Sequence, residues 1–186
     1  QPVRTELTFD GSIVQQRSLQ GDGLPRGVVM PIGDDEYLVF GGAQGDAAGI
    51  TNAFLARMQG DGQVLWLKFY DSGGWESANR CHVLDDGFLL TGGVQGPDYT
   101  SNIMFIRTDA SGNQLWKKVY GEIGTVSEGI ASLTPLSDGG FFLVGNQSIP
   151  QSANTNIILK GINNQGDILW EKTIGAEYED AALAVI

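Results

Sequence analysis

Few residues in this chain of 186 are of types that do chemistry. His82 is the one histidine and Cys81 the one cysteine, with Arg80 beside them. A histidine can move a proton or bind a ligand near neutral pH. No serine–histidine–aspartate pattern surrounds this one, and one cysteine builds neither an internal disulfide nor a thiolate metal site. Read as structure, Cys81 is a small buried hydrophobe. Arg80 and His82 are two apart, so on a strand they point the same way. They are a candidate binding spot, with a polar wall as the plainer alternative.

Other candidates come in series. Asp61, Asp109 and Asp167, with Asn113 and Asn163, crowd short stretches around a glycine. Calcium takes such oxygen ligands, but Asp and Asn before Gly are also what tight turns require. The alternating Asp-x-Asp-x-Asp of a calcium loop is missing, and no metal is expected. Glu76, Glu128 and Glu179-Asp180 recur about once per 50 residues. Paired carboxylates at roughly 5–9 Å hydrolyse glycosides; a carboxylate that returns at a fixed period reads instead as structural. Trp75, Tyr99 and Tyr178 are candidate platforms for a sugar ring, or edge packing. No catalytic, cofactor-binding or metal-binding residue is assigned, and no cofactor is expected.

The elements that carry these residues are set by a repeat. Gly62-Gln63-Val64-Leu65-Trp66 returns as Gly112-Asn113-Gln114-Leu115-Trp116 and as Gly166-Asp167-Ile168-Leu169-Trp170. A degraded copy, Gly11-Ser12-Ile13-Val14-Gln15, has Gln in place of Trp. Two further markers keep the same phase: Tyr37–Gly42, Phe88–Gly93 and Phe141–Asn146, and the runs that start at Asn52, Asn102 and Asn156. Self-similarity at about 50 residues signals an array of supersecondary units.

Each period holds four strand-like runs, best seen at 77–84, 88–94, 102–109 and 113–120. The second is apolar nearly throughout, as a strand buried on both faces should be. Tight turns separate the first from the second run and the third from the fourth. Long loops fall at 44–51, 95–101 and 147–155, and loops on one side of a rigid scaffold are the usual place for binding. No helical period with caps appears, so essentially no helix is expected.

Four antiparallel strands per unit, in tandem, predict an all-β fold: a β-propeller of four-stranded blades in one domain over 1–186. Each Trp is expected at a blade–blade contact with its Gly, which makes Trp66, Trp116, Trp170, Gly62, Gly112 and Gly166 the structural contact set. Arg80 and His82 would then lie on a channel-lining first strand. The chain starts in a third strand and stops in a first strand at Val185-Ile186. Three full blades and partial strands at both ends predict a longer chain and a larger ring.

Composition narrows the partners. The 27 glycines suit many short strands and tight turns. A net charge of −11 repels phosphate backbones and anionic membrane surfaces, so no nucleic acid is expected. No apolar run approaches the ~20 residues of a transmembrane segment. A chain that opens on Gln1-Pro2 is expected to have lost any export signal already.

The block from Phe105 to Gly121 resembles a bacterial repeat. It is similar to the Asp-x-x-Gly-Asn-x-x-Trp-x-Lys-x-Tyr-Gly repeats of secreted and surface lipoprotein β-propellers, and Ser137-Asp138-Gly139-Gly140-Phe141 matches their Asp-Gly-Gly-Phe turn. The Gly-x-x-x-Trp element is distantly similar to quinoprotein propellers, whose chemistry is not carried over. The resemblance implies an exported protein of the outer-membrane surface, periplasm or extracellular space. It implies a non-enzymatic scaffold that binds a protein partner in an envelope assembly. The competing expectations are a carbohydrate-binding surface protein and a propeller enzyme fragment with a channel site.

Overall fold

A computed structural model describes residues 3–7, 13–18, 25, 27–44, 50–71, 74–96, 99–121, 126–148, 154–175 and 180–182, with backbone alone for 3–7 and 13–18. The described residues form strands and turns, with no helix among them. A short hairpin comes first, β1 (Val3–Leu7) and β2 (Ile13–Ser18). Three four-stranded units follow. The first is β3 (Val28–Pro31), β4 (Glu36–Gln44), β5 (Thr51–Gln59) and β6 (Val64–Tyr70). The second is β7 (Trp75–Leu84), β8 (Gly87–Gln95), β9 (Ser101–Asp109) and β10 (Gln114–Tyr120). The third is β11 (Ser127–Pro135), β12 (Phe141–Ser148), β13 (Thr155–Ile162) and β14 (Ile168–Ile174). Within each unit every strand pairs antiparallel with the next. One parallel pair, Thr51 with Trp75, ties the first unit to the second.

The hydrophobic pattern decides how the units stack. Along β4, Leu38 and Phe40 face one way while Tyr37 and Val39 face the other, as the two-residue strand period requires. Leu38, Phe40 and Leu55 meet Phe88, Leu90 and Ile106 in one core between the first and second sheets. Leu89, Ile103 and Phe105 meet Phe141, Leu143 and Ile158 in another, between the second and third. The second sheet is therefore covered on both faces. Phe105 anchors its core through edge contacts with Tyr120 (5.1 Å) and Phe141 (6.2 Å). Such pairs add about 0.5–1.5 kcal/mol beyond burial.

The hairpins between third and fourth strands are near copies. In each, the first turn residue receives the 3.0–3.1 Å bond of the glycine amide: Gln59 from Gly62, Asp109 from Gly112, Asn163 from Gly166. The three glycines have φ of 96°, 76° and 79°, a left-handed conformation that glycine adopts without steric cost. One extra residue then bulges out of the ladder, since Arg57 pairs with Trp66 but Met58 with Val64. The same slip leaves out Leu115 and Leu169. β1–β2 repeats it, with Glu6 on Gln15 and Leu7 on Ile13, so Val14 is the extra residue. The degraded sequence copy thus keeps the backbone of the repeat.

The first strand of the second unit begins earlier than the 77–84 read from sequence. Trp75 and Glu76 lie within it because Trp75 pairs with both Gln95 and Thr51. At the far end, the Asp180 amide donates to the Thr155 carbonyl (2.8 Å), and Ala182 exchanges two hydrogen bonds with the Asn146 side chain. Residues 180–182 thus approach the third sheet much as Trp75 approaches the first. The end of the expected last strand, 183–186, lies outside the described residues, as does Gly11.

Candidate functional site

The repeated residues form joints between sheets. A fourth strand carries Trp, Lys and Tyr at alternate positions, hence on one face. The Trp116 ring lies on Gly166 of the next sheet, where an added Cβ would come within 2.9 Å of it. The Tyr120 hydroxyl donates to the Gly166 carbonyl (2.9 Å), and Lys118 pairs with Asp167 (2.9 Å). One turn is thereby held at three points. The preceding joint is alike: Trp66 lies on Gly112 and Tyr70 donates to the Gly112 carbonyl (2.8 Å). Burial pushes both tyrosine hydroxyls well above their usual range, so they stay protonated donors.

The turn acids serve the same joints. Asp109 accepts from the amides of Ser111 (2.9 Å) and Asn113 (2.8 Å) and from the Asn113 side chain (2.9 Å). The Asn113 bonds, with Lys68 nearby, hold its carboxyl below the usual range. In the next repeat the residues are exchanged: Asn163 accepts from Gln165 and Asp167 amides (3.0 and 2.8 Å). Hydrogen bonding and charge from Lys118, then the Asn163 bond, lower the Asp167 pKa. Asp61 accepts from the Gln63 amide (2.9 Å). No cluster of three or more His, Cys, Asp or Glu suited to a metal occurs among the described residues.

Among the described residues, Trp170 of β14 meets no glycine turn of another sheet. Trp170 is about half exposed, and its ring folds over Gly161 and Phe142 of its own sheet. Gly161 stands where the earlier repeats have Arg57 and Arg107, which pair with Glu36 and Asp86. Ile174 replaces the tyrosine.

Arg80 and His82 share a side of β7, as their spacing requires. The Arg80 guanidinium donates to the Ala131 carbonyl (2.9 Å). Ala131 bulges out of the β11–β12 ladder, which leaves that carbonyl open to a side chain. The residue is thus a tie to the third sheet. His82 Nε2 is buried without a hydrogen-bond partner, and burial together with Arg80 lowers its pKa. Cys81 packs against the core on the other face, where burial pushes its thiol up to about 12.

The periodic glutamates are also structural in setting. Glu76 is buried and pairs with Lys117 at 2.7 Å. Glu128 pairs with Lys160 at 3.1 Å, and Lys160 reaches Glu171 at the same distance. Breaking such a buried pair by removing one partner costs about 3–5 kcal/mol.

Trp75 and Tyr99 come together. Their ring centroids are 6.0 Å apart and their planes 65° apart. They sit at the edge of the sheets that bears the long loops. Beside them is a cleft of about 330 Å³ lined by Thr51, Ser77, Asn79, Gln95 and Ser101. Tyr178 lies outside the described residues. Sequence spacing named both rings but could not pair them, since 24 positions and a long loop separate them. A second cleft, of about 560 Å³, opens at the opposite strand ends between Asp85-Asp86 and Leu136–Gly140, with Trp116 at its side.

No protein-family model matches this chain, and no curated protein matches it. Among the described residues no helix is long and apolar enough to cross a membrane.

Proposed function

We propose that this chain is part of an exported β-propeller that acts as a non-enzymatic scaffold for protein partners in a bacterial envelope or surface assembly. The observation that carries the reading is the repeated joint: Trp and Tyr of one sheet fixed on the glycine turn of the next. A joint repeated with the same rotation between successive sheets builds a curved array, and a ring of such sheets is a propeller. Charged groups that recur with the repeat are engaged in these joints or in buried pairs. Thr51, Trp75 and Gln95, at strand ends that flank the long loops, meet at one edge, the kind of surface a rigid ring offers to a partner. The repeats resemble those of surface lipoprotein propellers.

Pull-down of the native full-length protein from its envelope, read by mass spectrometry, tests the scaffold role. A stoichiometric protein partner and further repeats in the same polypeptide are expected. A monomer that emerges alone under mild detergent would overturn the role. Electron micrographs without a ring would overturn the architecture.

A further inference from the structure

We infer that the Trp75–Tyr99 corner is a binding site for a neutral oligosaccharide. Trp75 and Tyr99 lie outside the Gly, Trp and Lys positions that recur with the repeat. The position of Trp75 is Ser127 in the next unit, so the joints between sheets do not need an aromatic ring there. Both rings remain accessible, Trp75 at 44% and Tyr99 at 70%. The pair is an exposed aromatic corner that the joints between sheets do not use.

The backbone supports this. Tyr99 has φ 65°, the one non-glycine residue with positive φ among those described. That conformation is unfavourable for a bulky side chain and persists only where surroundings enforce it. Here they do. The Tyr99 amide donates to the Gly96 carbonyl (3.1 Å), Gly96 donates to Thr100 (3.1 Å), and the Gln95 side chain donates to the Tyr99 carbonyl (3.2 Å). The loop spends three hydrogen bonds to hold one ring outward beside Trp75.

The chemistry selects the ligand. The two rings meet edge to face at 65°, and their outward surfaces form an apolar corner against which the C–H face of a sugar would pack. The neighbouring cleft is lined by the hydroxyls of Thr51, Ser77 and Ser101 and the amides of Asn79 and Gln95, with Ser77 donating to Asn79 (3.4 Å). These groups both donate and accept, as sugar hydroxyls do. Among the described residues that line the cleft, the one ionisable side chain is Glu76, already paired with Lys117. The chain's charge of −11 works against anionic ligands. A neutral glycan satisfies all of these conditions. This site is independent of how many sheets complete the ring.

The test is calorimetric titration of the intact chain with cellohexaose, chitohexaose and maltohexaose, beside polygalacturonate and a proline-rich decapeptide. At least one neutral hexasaccharide should bind. Trp75→Ala and Tyr99→Ala should each weaken that binding at least tenfold with the thermal midpoint nearly unchanged. Tyr99→Gly should weaken it equally while holding or raising the midpoint, because glycine accepts the loop conformation. Trp170→Ala, on the third sheet, should leave affinity unchanged. Absence of binding to all three neutral sugars overturns the inference. So does binding that survives loss of both rings, or binding confined to the peptide or the polyanion.

Discussion

Trp66, Trp116 and Trp170 hold one motif position in three environments, which turns the repeat into an internal experiment. Trp116 is packed between sheets on Gly166, whereas Trp170 covers only its own sheet. Trp116→Ala should therefore cost about 3–5 kcal/mol. Trp170→Ala should cost about 1 kcal/mol, nearer the typical substitution. Urea midpoints of the two variants check the difference; equal losses would remove the docking account. His82 gives a second residue-level test. Its folded pKa is lowered, so the unfolded chain binds the proton more readily. Its contribution is fully present above the ordinary histidine value of about 6.5 and declines as pH falls through it. Stability should drop from about pH 7 to 5, and His82→Gln should flatten that slope in denaturation curves, since no other histidine exists.

At the scale of the element, the bulge explains the Gly-x-x-x-Trp spacing. One residue stands outside the ladder before each Trp, and Trp66 and Trp116 meet the glycine turn of the next sheet. The slip leaves Leu65, Leu115 and Leu169 exposed, against the ordinary expectation for leucine beside tryptophan. Leu115→Ser should hence shift stability by no more than about 0.5 kcal/mol, measured in urea; a core-sized loss would refute the bulge's role. Strand positions and loop lengths were legible because strand period and turn chemistry are local. The 50-residue phase pointed to Gly112 and Gly166, each of which meets a Trp of the preceding sheet. What was not legible depends on another sheet. Nothing near Lys118 or Tyr120 announces Asp167 or the Gly166 carbonyl, and nothing near Arg80 announces the open carbonyl of Ala131. Sequence marks Trp75 and Tyr99 each as a candidate platform or edge packing, yet their corner exists only once β7 and Tyr99, before β9, share an edge. Tyr99's backbone conformation has no sequence signature at all, because glycine would be the expected occupant.

For the whole molecule the question is what lies against the outer face of the third sheet. That face repeats the donor side of the joint with Trp170 and Lys172 but carries Ile174 where Tyr70 and Tyr120 donate to a glycine carbonyl. Residues 180–182 already approach this sheet as the second unit approaches the first. Stacked repeats gain stability chiefly from nearest-neighbour interfaces, so this joint would be the softest of the three, lacking one buried hydrogen bond. In the proposed ring, a further sheet presents its turn to Trp170, and a hydroxyl at position 174 would find the same carbonyl. Ile174→Tyr in the native full-length protein should then raise stability by about 1 kcal/mol, the usual net value of such a bond. Thermal unfolding of the native protein and of the 186-residue chain separates the cases. A gain in the native protein alone places a turn against this face. No gain in either means that the third sheet meets something other than another repeat, and the ring proposal fails at that joint.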